Sequence, residues 1–567
     1  MNCSRLVLLS LLGLLLGWMP LRGQEVRFGV PFDFPLYLSG NFGELRSNHF
    51  HGGLDFKTQG VVGKPLLAIA DGYISKVTVT PGGYGNALYL THDNGYTSVH
   101  GHLDRFLPEI AELVRKKQYA EQAFAVTLEF GPDEFRFRQG EVVAYAGNTG
   151  YSFGPHLHME IRKTATNEPI DPLPFYKDKI TDNIAPRATR IMIYGDEYRG
   201  KVALNKPIKG ATEIDGKIIF NFQLSTFNSL TAWGRISAAI SANDYMNGTH
   251  NNYGVRYVRL YVDDRLVSSS DVDRFSFDEN RLINSWTDYA EYRRLGRWYM
   301  RSAVAENNPL RMLRATDNGW VTIDEERDYH FRYELEDLYG NRSTYRFVVR
   351  GKRMDIPQRL PNYFYYMDAS RDNRFYTNGF ELWLPQGSLF DDVELDYEVL
   401  PSESAADYTS HYRLSQTPQP LWHAAEITIP FFEDCDIDPS KLYIARVDGK
   451  RRTYCGGTYE YGHIKANITE LGTYTVCADT IAPKITPIGS TSWRKQGRIV
   501  CRIADGETGI RDYRGTIDGR WVLFKYSSKN ARLTCDLRAE GIGPGRHQVE
   551  IKVTDMRGNV RVVSYEL

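Results

Sequence analysis

Two histidines at alternate positions, His156 and His158 in the run Gly154-Pro-His-Leu-His-Met-Glu-Ile-Arg162, have a type and spacing that suit chemistry at one point. Side chains of a β-strand repeat with period two, so both imidazoles leave one face while Leu157 turns into the core behind them. Such a strand presents two nitrogen ligands to one spot; an ordinary surface strand is the other reading. About a hundred residues upstream stands His51-Gly-Gly-Leu-Asp55, and seven of the 13 histidines (49, 51, 92, 100, 102, 156 and 158) crowd into residues 49–158. Neutral imidazoles with one carboxylate suit zinc, and three protein ligands leave open the fourth position that a catalytic zinc needs. Gly52-Gly53 disfavours a helix across 51–55, so this is not the two-histidine helix of HExxH proteases; it reads as a turn or short strand.

These residues resemble those of the M23 zinc endopeptidases, the lysostaphin- and LytM-type peptidoglycan hydrolases, whose signature is H-x3-D followed downstream by H-x-H. Ala70-Asp-Gly-Tyr73, Gly82-Gly-Tyr-Gly-Asn86, His92-Asp-Asn-Gly-Tyr96, His102-Leu103, Gly147-Asn-Thr-Gly150 and Asp171-Pro-Leu173 follow in the family's order over residues 28–175, about a quarter of the chain. The resemblance implies one Zn2+ held by His51, Asp55 and His158, with His156 and His102 beside the water that it activates. His156 is then the general base, and His102 orients the water or stabilises the oxyanion, duties that the residues alone do not separate. Peptide cross-links or stem peptides of peptidoglycan are the implied substrate. Where the family often has Tyr-x-His-Leu, this chain has His100-Gly-His102-Leu103; a strand would turn both histidines to one face, and the place before Leu103 favours His102. His49 and His92 match no ligand position and are expected to be structural or on the surface. The glycine-rich Pro81–Asn86 lacks the Lys-Ser/Thr of a P-loop and is expected to be a hairpin turn. The family places it near the substrate groove, which makes Tyr84 and Asn86 candidate substrate contacts.

Elements able to hold these groups are mainly β. Aromatics make up 13% of the chain, 37 of them Tyr, and runs such as Val255-Arg-Tyr-Val-Arg-Leu-Tyr-Val262 alternate apolar and polar residues. We expect a LytM-like antiparallel β-sheet peptidase domain over residues 25–178 with a helical insertion, followed by β-sandwich, immunoglobulin-like domains. The insertion, residues 106–121, sets Ile110, Leu113 and Val114 at helical spacing with Pro108 in the first turn, and either walls the groove or packs on the sheet. Asp182-Asn-Ile-Ala-Pro186 recurs as Asp479-Thr-Ile-Ala-Pro483. Asn243-Asp244 then Gly254-Val255 follow in the first copy, Asp505 then Gly509-Ile510 in the second, and each copy closes on Asp-x-x-Gly-Asn at 337–341 and 555–559. The first copy is longer by about 79 residues. This divides the remainder into a β-sandwich domain at 179–354, a β-rich region at 355–478 and an immunoglobulin-like sandwich at 479–567.

A chain of 567 residues holds three to four domains. Its 69 basic and 70 acidic residues leave a net charge of −1 and no field that would gather nucleic acid. Residues 1–24, with Arg5, the apolar run Leu6–Trp18 and a polar exit, read as an export signal, and no later segment is apolar enough to span a bilayer. A periplasmic or secreted, envelope-associated protein is therefore expected, with C-terminal β domains that offer surfaces to envelope protein partners. Export leaves cysteines 435, 455, 477, 501 and 535; Cys501 and Cys535 read either as a bridge or as buried thiols. Two other functions fit parts of the chain. A non-catalytic LytM-like activator of another cell-wall hydrolase usually lacks ligands that are all present here, and a surface binding protein would use the β-sandwich-like two-thirds.

Overall fold

Alternating side chains build the centre of the molecule. The computed structural model describes residues 26–204, 212–214, 217–221, 230–356, 363–402, 404–431 and 436–567, so the export-signal segment 1–24 and Cys435 lie outside the described residues. In chain order the strands that matter are β1 (Leu38–Gly40), β2 (Leu54–Lys57), β3 (Gly72–Val79), β4 (Asn86–His92), β5 (Tyr96–Gly101), β6 (Val126–Glu129) and β7 (His156–Lys163), with helix α1 (Pro108–Glu121) between β5 and β6. They lie side by side as β1-β2-β7-β5-β4-β3-β6, every neighbour antiparallel. The strand with the two histidines thus sits between β2 and β5, and His158 stands opposite Asp55 on one side and Gly101 on the other.

Leu157, Met159 and Ile161 of β7 are fully buried with Leu54 and Phe56 of β2 and Leu88 and Leu90 of β4. Each such side chain contributes roughly 1.5–3 kcal/mol by leaving water, which fixes the register and commits the opposite face of β7 to its polar residues. The predicted helix forms with Pro108 in its first turn, where a missing N–H costs nothing, and buries Ile110 and Val114. Its other flank does not border the histidines: Arg115 reaches Glu540 at 3.1 Å, and the Tyr119 hydroxyl also bonds Glu540, in the last β domain.

Beyond residue 186 the first repeat copy hydrogen-bonds into one continuous eleven-stranded sheet. The long strand Leu230–Asn243 switches partners along its length, pairing with Arg187–Leu204 throughout and with Arg342–Gly351 at its start, so both halves enclose a single core. The middle region is built from two five-stranded sheets and the last from two four-stranded sheets. Cys501 and Cys535, on adjacent strands of the last region, are free and buried, as are the thiols of the bridge-or-thiol reading taken in its second form. Among the described residues no helix is long and apolar enough to cross a membrane.

Candidate active site

The turn into β2 lies against the backbone of β7. A Cβ on Gly53 would stand 2.2 Å from the carbonyl oxygen of Met159, so only glycine lets His51 and Asp55 approach β7 this closely. His51 Nε2 and Asp55 Oδ1 are 3.0 Å apart, His158 Nδ1 and Asp55 Oδ1 are 2.9 Å apart, and the two imidazole nitrogens are 2.9 Å apart. All three residues are buried.

The far side of each ring decides which nitrogen faces inward. His51 Nδ1 donates to the Asn41 carbonyl at 2.6 Å, which leaves Nε2 bare. His158 Nε2 donates to Glu160 Oε1 at 2.9 Å, which turns Nδ1 inward toward Asp55 and His51. A carbonyl and a carboxylate behind two ligating imidazoles are the usual second layer of a metal site. Zinc bonds of about 2.0–2.1 Å in a tetrahedron set ligand atoms roughly 3.3 Å apart, and two nitrogens with one oxygen spaced near 3 Å fit that donor set. The second oxygen of Asp55 is held by Arg46 Nη2 at 2.9 Å, so one carboxylate oxygen is left for an ion.

His156 lies on the same face, its Nε2 3.6 Å from Asp55 Oδ1. Its Nδ1 donates to the Gly154 carbonyl at 2.8 Å, with the Ser152 hydroxyl 3.2 Å away. His102 ends its strand early: β5 stops at Gly101, and a φ of +61° at His102 swings its ring to 4.8 Å from that of His156. This departure from strand geometry separates the two histidines that simple alternation would have kept together. His100, opposite Met159 and Leu88, is buried in the core with neither ring nitrogen hydrogen-bonded. His102 Nδ1 donates to the Thr149 carbonyl at 2.9 Å. His92 is buried on Ser98 and the Ala70 carbonyl, and His49 is exposed.

Pro81–Asn86 is the hairpin between β3 and β4. Gly85 and Gly150, at φ +67° and +68°, pack backbone against backbone and tie this turn to Thr149 beside His102. Asn86 donates to the Leu103 carbonyl at 3.1 Å. The Tyr84 hydroxyl bonds Glu160 and receives Arg162 Nη2 at 3.2 Å, while its ring lies 5.3 Å from that of His158. Both side chains border the site with their polar groups engaged inside the protein.

Glu160, Arg162, Arg46 and Asn41 were not anticipated. Glu160 and Arg162 continue the period-two face of His156 and His158, a signal present in the run itself; Asn41 comes from a loop and Arg46 from a two-residue strand paired with His49–Phe50, whose approach no spacing announces. Burial raises the Glu160 carboxyl, but His158 and Arg162 outweigh it and bring it down to about 2. Burial, helped by the charges of Arg46 and His158, outweighs Asp55 and pushes His51 down to about 4. For His158 burial acts downward, yet the carboxylates of Asp55 and Glu160 prevail and push it up to about 9. Burial and the neighbouring imidazoles of His158 and His156 push His102 down to about 3.

These directions set a measurable linkage. At pH 7 the metal-free ligand set holds one proton beyond those of its neutral imidazoles, on His158, and that proton must leave when Nδ1 binds a metal. Zinc binding is expected to release about one proton at pH 7, and affinity to fall as pH drops below about 9. Calorimetric zinc titrations in two buffers of different ionisation enthalpy count the proton; a release of none contradicts the arrangement.

Residues 49–122 match the model of peptidase family M23, and residues 364–479 match a Zu5-like domain. An uncharacterized metalloprotease of Haemophilus influenzae is 34% identical over 110 residues, covering 19% of this chain and 18% of that protein. The DD-carboxypeptidase/endopeptidase Mpg of Neisseria meningitidis serogroup B is 33% identical over 147 residues, 26% of each chain. The catalytic domain of lysostaphin from Staphylococcus simulans, a solved structure, is 25% identical with a TM-score of 0.18, covering 25% of this chain and 90% of that one. The chain thus spans about a fifth to a quarter of the length of these curated relatives. Through the segment that supplies His51, Asp55 and His102, this chain carries a domain of peptidase family M23.

Proposed function

We propose that the chain is an exported, zinc-dependent endopeptidase that hydrolyses peptide cross-links or stem peptides of peptidoglycan. The observation that carries the reading is the convergence of three buried ligand atoms, from His51, Asp55 and His158, beside two further imidazoles whose Nε2 atoms are unprotonated. Zinc, when bound, supplies a Lewis acid that lowers the pKa of water and polarises a carbonyl. The protein's own residues do the remainder. His156, with its proton fixed on Nδ1 by the Gly154 carbonyl, accepts a proton at Nε2 and returns it to the departing amine. His102, held neutral by burial, orients the water through Nε2. Arg46 holds Asp55 in place through its second oxygen. The relatives named a metalloprotease and a DD-carboxypeptidase/endopeptidase support the reading, and the segments 179–354, 355–478 and 479–567 are read as β domains that carry the peptidase and meet envelope partners.

The full chain incubated with cell-wall sacculi is expected to release new amines, and chelation to stop the release. His156→Ala should lower the rate about 10²- to 10⁴-fold, the usual weight of a general base, while zinc content stays unchanged. An unchanged rate in His156→Ala removes that residue from the chemistry, and no amine release from any sacculus by the zinc-loaded chain removes the substrate class.

A further inference from the structure

The repeated phrases of the two copies fold into the same cradle, hydrogen bond for hydrogen bond. In the first copy Asp182 Oδ1 accepts from the Ile184 amide at 3.0 Å, Asn341 Nδ2 donates to the Asp182 carbonyl at 3.3 Å, and Asp337 takes the amide and side chain of Asn341 at 2.9 and 2.7 Å. In the second, Asp479 accepts from Ile481 at 3.1 Å, Asn559 donates to the Asp479 carbonyl at 2.8 Å, and Asp555 takes the amide and side chain of Asn559 at 2.8 Å each. Each cradle gathers three carboxylates, Asp182, Asp244 and Asp337 in one and Asp479, Asp505 and Asp555 in the other, with one oxygen from each within 4.8 Å of the others.

The copies differ in how those oxygens are satisfied. In the second, Thr508 Oγ1 donates to Asp479 Oδ2 at 2.6 Å, and Asp505 Oδ1 accepts three amides, from residues 507, 508 and 509. In the first, Asp182 Oδ2 and Asp244 Oδ1 are buried with no hydrogen-bond partner, in residues only 8% and 2% exposed. No cation among the described residues pairs with any of the three. They line a cavity of about 10 Å³, the size of one bound water or ion. Leaving two carboxylate oxygens dry and unpartnered beside a third carboxylate is costly, and something must answer them.

We propose that Asp182, Asp244 and Asp337 bind one hard divalent cation, calcium, at the junction of the peptidase domain with the β domain that follows. All donors are oxygen, the donor set that selects calcium or magnesium over zinc or copper. Calcium bonds of 2.3–2.6 Å allow ligand oxygens up to about 4.8 Å apart, and one oxygen from each of the three aspartates lies within 4.8 Å of the others. Burial, with repulsion from the neighbouring aspartates, pushes Asp182 up to about 7 and Asp244 up to about 8, the load that a cation would relieve. The site also reaches the candidate active site through backbone. Asp244 pairs with Tyr253, whose hydroxyl donates to the Leu38 carbonyl at 2.8 Å, and Gly254 donates to Asn41 Oδ1 at 2.8 Å; Asn41 in turn accepts His51 Nδ1. An ion there would clamp the joint on which a zinc ligand leans.

The test uses the full chain, stripped of metal and reloaded with one equivalent of zinc. Added calcium is expected to raise Tm with the logarithm of its concentration, by about 5 °C at a hundredfold excess over its dissociation constant. Asp244→Asn should lose the response at unchanged zinc content, and Asp505→Asn, in the copy satisfied by protein donors, should keep it. Should Asp244→Asn fail to fold, terbium titration of the unmodified chain reads the site directly, with emission sensitised by Tyr339 on the cavity wall and displaced by calcium. No thermal response to calcium, an equal response in Asp244→Asn, or terbium emission that calcium does not displace overturns the proposal.

Discussion

On the proposed function, His158→Ala is expected to empty the metal site and to lower peptide hydrolysis by at least about a thousandfold, since it would remove one of three ligands to the metal that activates water. Nδ1 of His158 stands 2.9 Å from both partners, whereas His156 Nε2 lies farther off, 3.6 Å from Asp55 Oδ1. The fold is expected to survive. Leu157 and Met159, which hold β7 in the sheet, are untouched, and Glu160 retains Arg162 and Tyr84 as partners. Elemental analysis of the purified variant should therefore find no stoichiometric zinc while its far-ultraviolet circular dichroism matches the parent. A variant that keeps one zinc per chain would mean that His158 is not a ligand.

Glu160→Ala is expected to have the second-largest effect, and it works through two routes. Glu160 is 1% exposed and Arg162 5% exposed, and the two bond at 2.6 Å beneath the site. Removing the carboxylate leaves a buried guanidinium without its counter-charge, which costs about 3–5 kcal/mol, and thermal or urea unfolding reads that loss. It also removes the acceptor that fixes the His158 tautomer, so zinc affinity should fall about 10- to 100-fold. Glu160→Gln separates the routes. Its amide oxygen still accepts from His158 Nε2, so zinc affinity recovers toward the parent while the unpaired charge on Arg162 keeps stability low. Equal zinc affinity in the parent and in Glu160→Ala would detach this carboxylate from the metal site.

Much of the site was legible in the chain because β7 is a strand with one dry face. Period two puts His156 and His158 together, and the same alternation puts Glu160 and Arg162 on their face. The helix at 108–121 was legible from its apolar spacing and its first-turn proline, but its docking on Glu540 depends on a residue more than four hundred positions away. Period two also failed where the backbone leaves the strand. The positive φ at His102 sends it to the site and leaves His100 in the core, and the pressure for that turn comes from the Tyr84 carbonyl and Thr149, which hold the His102 amide and ring. Asn41 reaches His51 from a loop held by Gly254 of the next domain, and Arg46 reaches Asp55 from a short strand of the following hairpin. The aspartates of the two repeats were visible as punctuation, but only the fold shows that Asp182, Asp244 and Asp337 meet and that two of their oxygens lack partners.

The central claim is that five residues, His51, Asp55, His158, His156 and His102, split an amide. Mass spectrometry of a defined cross-linked muropeptide after incubation with the zinc-loaded full chain tests it most directly. The account predicts two fragments whose summed mass exceeds that of the substrate by one water, with a new free amine at the cross-link or stem peptide, and intact substrate with His158→Ala. Intact substrate with the zinc-loaded parent, or the same fragments from His158→Ala, would contradict it.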